Sequence, residues 1–134
     1  MDNFLNSNDG QGTGAAGTPY AEYLPAINVP EGLNRLMNNK KLYFTMLKSF
    51  ISGTMSQDLL EVMPGEDKQK TASTAHALKG VAANLGLSEL WRISAEIEAC
   101  AKQEAESTQF IPEFETAVAA TDSAIKMLFE KEQI

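Results

Sequence analysis

The stretch Ala75-His76-Ala77-Leu78-Lys79-Gly80-Val81-Ala82-Ala83-Asn84-Leu85-Gly86 holds the only histidine among 134 residues. Read as a helix, in which each residue advances about 100° around the axis, it separates into two faces. Leu78, Val81 and Leu85 fall within about 40° of the direction opposite His76. On the histidine's own side lie Ala72, Ser73, Lys79, Gly80 and Ala83, so that face carries one imidazole, one ammonium and otherwise small groups. Burying His76 would turn three large apolar side chains to water, and the pattern therefore predicts an exposed imidazole.

Gly80 sharpens this reading, because glycine inside a helix costs about 1 kcal/mol relative to alanine. Its missing side chain, one turn beyond His76, leaves room beside the ring for a bulky group or an approaching partner. Lys79 brings a positive point charge to the same space. An accessible imidazole is partly neutral near pH 7, and a neutral ring nitrogen is a nucleophile. A neighbouring ammonium suits an incoming anion such as a phosphoryl group.

With Ala75-His76-x-Leu78-Lys79-Gly80 followed by Gly86, the chain closely resembles the core motif of histidine-containing phosphotransfer (HPt) domains, which carry phosphoryl groups between receiver domains in two-component relays. The resemblance extends over about residues 27 to 131 and includes Gly32-Leu33, Leu47-x-x-Phe50, Leu90 and Ile97-Glu98. Leu24-Pro25-Ala26-Ile27 is similar, more weakly, to the lead into HPt modules at the C-terminal end of hybrid sensor kinases. The resemblance implies that His76 is the phosphoacceptor, that Lys79 stabilises the phosphoryl oxygens, that Gly80 keeps the approach clear and that Gly86 is structural. It further implies attack by Nε2, the outer nitrogen, and a contact patch formed by Ala72, Ser73 and Ala83. The partners implied are response-regulator receiver domains and a sensor or hybrid histidine kinase. No cofactor is implied for the chain itself, Mg²⁺ being expected on the partner receiver.

Composition supports a single folded unit. One domain's length and 43% hydrophobic residues suffice for a sizeable core. A net charge of −7 disfavours nucleic-acid binding, which needs a basic face. No apolar run is long enough to span a bilayer, and the residues after Met1 lack the basic and apolar regions of a secretory signal. One cysteine, Cys100, forms no intrachain disulfide; it is read as a small core residue, and the chain as cytoplasmic.

Along the chain, residues 1–26 read as a flexible Gly/Asn/Ser-rich lead-in or linker, with an extended segment around Tyr20 to Ile27 laid on the bundle, and residues 27–134 as the helical domain. Pro30 opens a short helix that Asn38 and Asn39 end. A long helix is predicted from Lys40 to Val62, with Tyr43, Leu47, Phe50, Ile51, Met55, Leu59 and Val62 recurring at steps of three and four, and Pro64-Gly65 stops it. Asp67 caps the helix bearing His76, and Gly86 breaks it. Ser88 is read as the cap of the next helix, whose stripe is Leu90, Ile93, Ile97, Cys100 and Ala101, with Trp91 off its centre and read as closing the bundle's edge in preference to contributing to a contact surface. The last helix begins near Pro112 and buries Phe114, Ala117, Val118, Thr121, Ile125, Leu128 and Phe129. The expected fold is all-α, an antiparallel up-and-down four-helix bundle with a short accessory N-terminal helix, and a monomer.

Two other functions compete with the relay. A helical adaptor would bind receiver or kinase domains without accepting phosphate, but it has no need of Lys79 and Gly80 beside an exposed imidazole. A hydrolase would need an acid partner for His76 that spacing does not supply, Glu96 and Glu98 being read as a solvated helix face. Without a Gly-rich phosphate loop, the chain is expected to be a phosphocarrier with no autokinase activity.

Overall fold

The computed structural model describes residues 19–133; the expected lead-in over residues 1–18 lies outside them. Six helices follow one another: α1 (Val29–Arg35), α2 (Lys40–Ser52), α3 (Met55–Val62), α4 (Lys68–Leu85), α5 (Ser88–Lys102) and α6 (Ile111–Glu132). Single 3₁₀ turns occur at Ala21–Tyr23 and Thr108–Phe110. Helix α5 packs between α4 and α6, while α2 touches both α4 and α6 and α3 lies along α4. The four-helix bundle is thus all-α, with α2 and α3 together as one of its rods and α1 seated against α4.

The expected Lys40–Val62 helix is broken at Gly53 and Thr54. Gly53 is extended and has little helical preference. The Ser52 hydroxyl, bonded back to the Lys48 and Ser49 carbonyls at 2.9 and 3.3 Å, competes with continuation of the backbone ladder. Apolar spacing hides the break, because Ile51, Met55 and Leu59 keep their intervals of four across it.

The core is built from Tyr43, Leu47, Leu59, Leu78, Leu85, Leu90, Ile93, Ile97, Phe114, Ile125 and Leu128, all fully or almost fully buried. Tyr23, Ala26 and Ile27 join it, so the segment before α1 packs on the bundle, through a 3₁₀ turn where an extended run was expected. Three expectations for α5 need correction. Leu87 rather than Ser88 occupies the cap position, and Ser88 is the first helical residue. Trp91 is 46% exposed and does not close the bundle's edge. Cys100 is half-buried beside the core, its thiol directed at the Glu106 carbonyl at 3.2 Å, while Ala101 takes the buried position next to it.

Among the described residues, no helix is long and apolar enough to cross a membrane.

Candidate functional site

Helix α4 is fixed at both ends. At its start the Asp67 carboxylate accepts the Lys70 N–H at 3.0 Å, satisfying a backbone donor that the helix cannot. One turn in, the buried Thr71 hydroxyl donates to the Val62 carbonyl at 3.1 Å and ties α4 to the end of α3. At the other end Gly86 is left-handed, with φ +71°, and its carbonyl accepts the Asn28 N–H at 2.7 Å. The buried Tyr43 hydroxyl donates to the Leu85 carbonyl at 2.9 Å. A Cβ on Gly32 would lie 2.6 Å from that same carbonyl oxygen, so glycine is what lets α1 approach the end of α4.

Between these anchors Ala75, Leu78, Ala82 and Leu85 face the core and His76 faces outward, its side chain 69% exposed. The angular reading of the sequence is therefore correct. Gly80 is exposed, and a Cβ there would meet nothing within 4 Å. No crowding inside the domain requires glycine, so the space it leaves opens outward.

Glu98 on α5 was expected on a solvated face and is instead 3% exposed. A helical projection puts it about 80° from Leu90, at the flank of the buried stripe, and the flank in question is turned toward α4. Its Oε2 lies 2.7 Å from His76 Nδ1 and 3.1 Å from Lys102 Nζ, and its Oε1 accepts from Lys79 Nζ at 2.6 Å. Burial alone would raise this carboxyl's pKa. The hydrogen bonds from Lys79, His76 and Lys102 outweigh it and hold the group down to about 2. Glu98 is therefore ionised at neutral pH. An ionised carboxylate offers only lone pairs, so Nδ1 carries the proton that joins them. On the neutral ring Nε2 then keeps its lone pair, at the edge turned away from Glu98.

Ala72 and Ser73 line a shallow hollow with Gln69, His76, Glu98 and Lys102. Ala72 forms its buried floor, and the Ser73 hydroxyl is turned to the Lys70 carbonyl at 3.1 Å. Ala83, two turns beyond His76, borders a separate hollow with Glu31, Arg35 and Trp91. Of the residues singled out from the sequence, His76, Lys79, Ala72 and Ser73 are thus brought together, and Gly86 sits at the helix end. Glu98 and Lys102 complete the cluster and were not foreseen as members of it. Their signal was the (i, i+4) Glu–Lys pair at the edge of an apolar stripe. Among the described residues no cluster of His, Cys, Asp and Glu is placed to hold a metal ion.

The family model of the Hpt domain matches residues 46–126, more than half of the chain and all of this cluster. The chain belongs to the Hpt domain family. Among solved structures this Hpt domain is similar to the Hpt domain of a sensor hybrid histidine kinase from Shewanella, at 21% identity and a TM-score of 0.66 over 79% of this chain and 95% of that one. At that identity the likeness shows the shared fold. No curated protein matches the chain.

Proposed function

We propose that this Hpt domain is a phosphorelay intermediate, accepting a phosphoryl group on His76 from the phospho-aspartate of one receiver domain and passing it to another. The observation that carries this reading is the Glu98–Nδ1 hydrogen bond, which leaves a nucleophilic Nε2 on an exposed edge. The lone pair of Nε2 attacks phosphorus, the P–O bond to the receiver's aspartate breaks, and the carboxylate leaves with the electron pair. The ring, now substituted at Nε2 and protonated at Nδ1, is cationic, and Glu98 lies against that positive charge. Attack by a second receiver's carboxylate on phosphorus then breaks the N–P bond and returns the lone pair to Nε2. Lys79 supplies charge for the phosphoryl oxygens, and Gly80 leaves room for the receiver.

Phosphoryl transfer requires mainly alignment and charge stabilisation, so a helix face with one imidazole and one lysine suffices when the receiver brings its Mg²⁺. The domain is a carrier and takes no phosphate from ATP by itself. Ala72 and Ser73, beside His76, form the near part of the contact patch, and Ala83 extends it along α4. Receiver domains phosphorylated in advance test the proposal directly. Acid-labile, base-stable label is expected on the native chain and absent from His76→Ala with helical content unchanged; label that survives in that variant refutes it.

A further inference from the structure

A phosphoryl group on His76 would compete for a cation that a carboxylate already holds, because in this structure Lys79 is bonded to Glu98. Its ammonium lies 2.6 Å from Glu98 Oε1, and Glu98 is the buried partner, with a side chain only 4% exposed. Withdrawing that cation leaves a buried carboxylate oxygen short of a partner, a loss that is costly for a charged group. A second cation reaches the same carboxylate from the solvent side. Lys102, at the last position of α5 and 64% exposed, contacts Oε2 at 3.1 Å across one helical turn, with glutamate N-terminal to lysine as that pairing favours.

We infer that Lys102 is a positioning residue that compensates Glu98 when Lys79 leaves it for the phosphoryl group. This rests on His76 being the phosphoacceptor. A phosphoryl group on Nε2 carries more negative charge than one carboxylate and draws the single ammonium of Lys79 across the face of α4. Lys102 stays behind, and its long, exposed stem lets it share both oxygens of Glu98. The carboxylate then remains charged and remains bonded to Nδ1–H, so the ring keeps its orientation while the cation changes hands. Lys102 thus acts through Glu98 and touches neither phosphorus nor its oxygens.

The inference predicts a specific non-additivity. Lys102→Ala is expected to slow phosphoryl acceptance from a phosphorylated receiver about tenfold, because Lys79 then stays clamped on Glu98. In a Lys79→Ala background the same change is expected to cause a clearly smaller loss, since no exchange remains to be supported and only the hold of Glu98 on Nδ1–H is weakened. Lys102→Arg keeps the charge and is expected to restore the rate. All variants are compared at equal helical content by circular dichroism. Additive losses in the double variant overturn the inference, as does a Lys102→Ala protein that accepts phosphate at the native rate. Native protein and His76→Ala run alongside: failure to label the native chain removes the phosphoacceptor reading itself, whereas a labelled native chain with additive lysine effects removes only the role of Lys102.

Discussion

Replacing Glu98 by glutamine keeps the shape of the side chain and removes its charge, which makes Glu98→Gln a measure of what ionisation contributes to the fold. The fall from the ordinary 4.5 to about 2 corresponds to ~3 kcal/mol of preference for the charged over the protonated carboxyl in the folded state. His76 and Lys102 are largely open to solvent, and screening brings this to ~2 kcal/mol. The sign follows from proton counting. Between pH 4.5 and about 2 the unfolded chain binds the proton and the folded one does not, so this stabilisation is complete above the unfolded value and is lost as pH falls through the folded one. Glu98→Gln is therefore expected to be ~2 kcal/mol less stable than the native chain near pH 7, and the gap is expected to shrink to about half near pH 3. Urea unfolding followed by circular dichroism at the two pH values measures it. A gap below about 0.5 kcal/mol near pH 7, or one that is the same at both pH values, would refute the argument that a charged Glu98 is held by the hydrogen bonds of its three neighbours.

Four further substitutions test the anchoring and clearance of α4. Gly86→Ala is expected to cost about 3 kcal/mol in urea unfolding, because alanine is strained at a positive φ and its Cβ would collide with the Asn28 carbonyl oxygen. Tyr43→Phe removes the donor to the buried Leu85 carbonyl and is expected to cost about 1–2 kcal/mol by the same measurement. Gly80→Ala is expected to stabilise the domain by about 1 kcal/mol, since its Cβ meets nothing within 4 Å. Gly80→Gln is expected to keep the fold while slowing phosphoryl acceptance from a receiver, so an unchanged transfer rate would remove Gly80 from the docking path.

The helices and the exposed histidine were legible because they depend on local chemistry. Asp67 and Gly86 mark the ends of α4 by what a backbone needs there, and the three large residues opposite His76 determine its orientation. Glu98 was misplaced for the opposite reason. It lies 22 residues beyond His76, and whether the flank of the α5 stripe faces water or α4 depends on how the two helices cross, which periodicity does not encode. Trp91 illustrates the converse error, a large aromatic assigned to packing that the neighbouring elements provide only in part. The break at Gly53 is not encoded in the periodicity, because the apolar intervals run through it undisturbed.

The two clamped ends of α4 bear on how partners meet this domain. A helix held by α3 at one end and by α1 and Tyr43 at the other behaves as a beam fixed at both supports, and the histidine rides near its middle. The loss of freedom needed to present the imidazole has been met during folding, so an arriving partner has nothing on this side to order. Every partner encounters the same fixed target. Discrimination among them then falls to the rim around it and to the partners' own surfaces, and substitutions there can alter whom the domain serves without disturbing how its histidine is held.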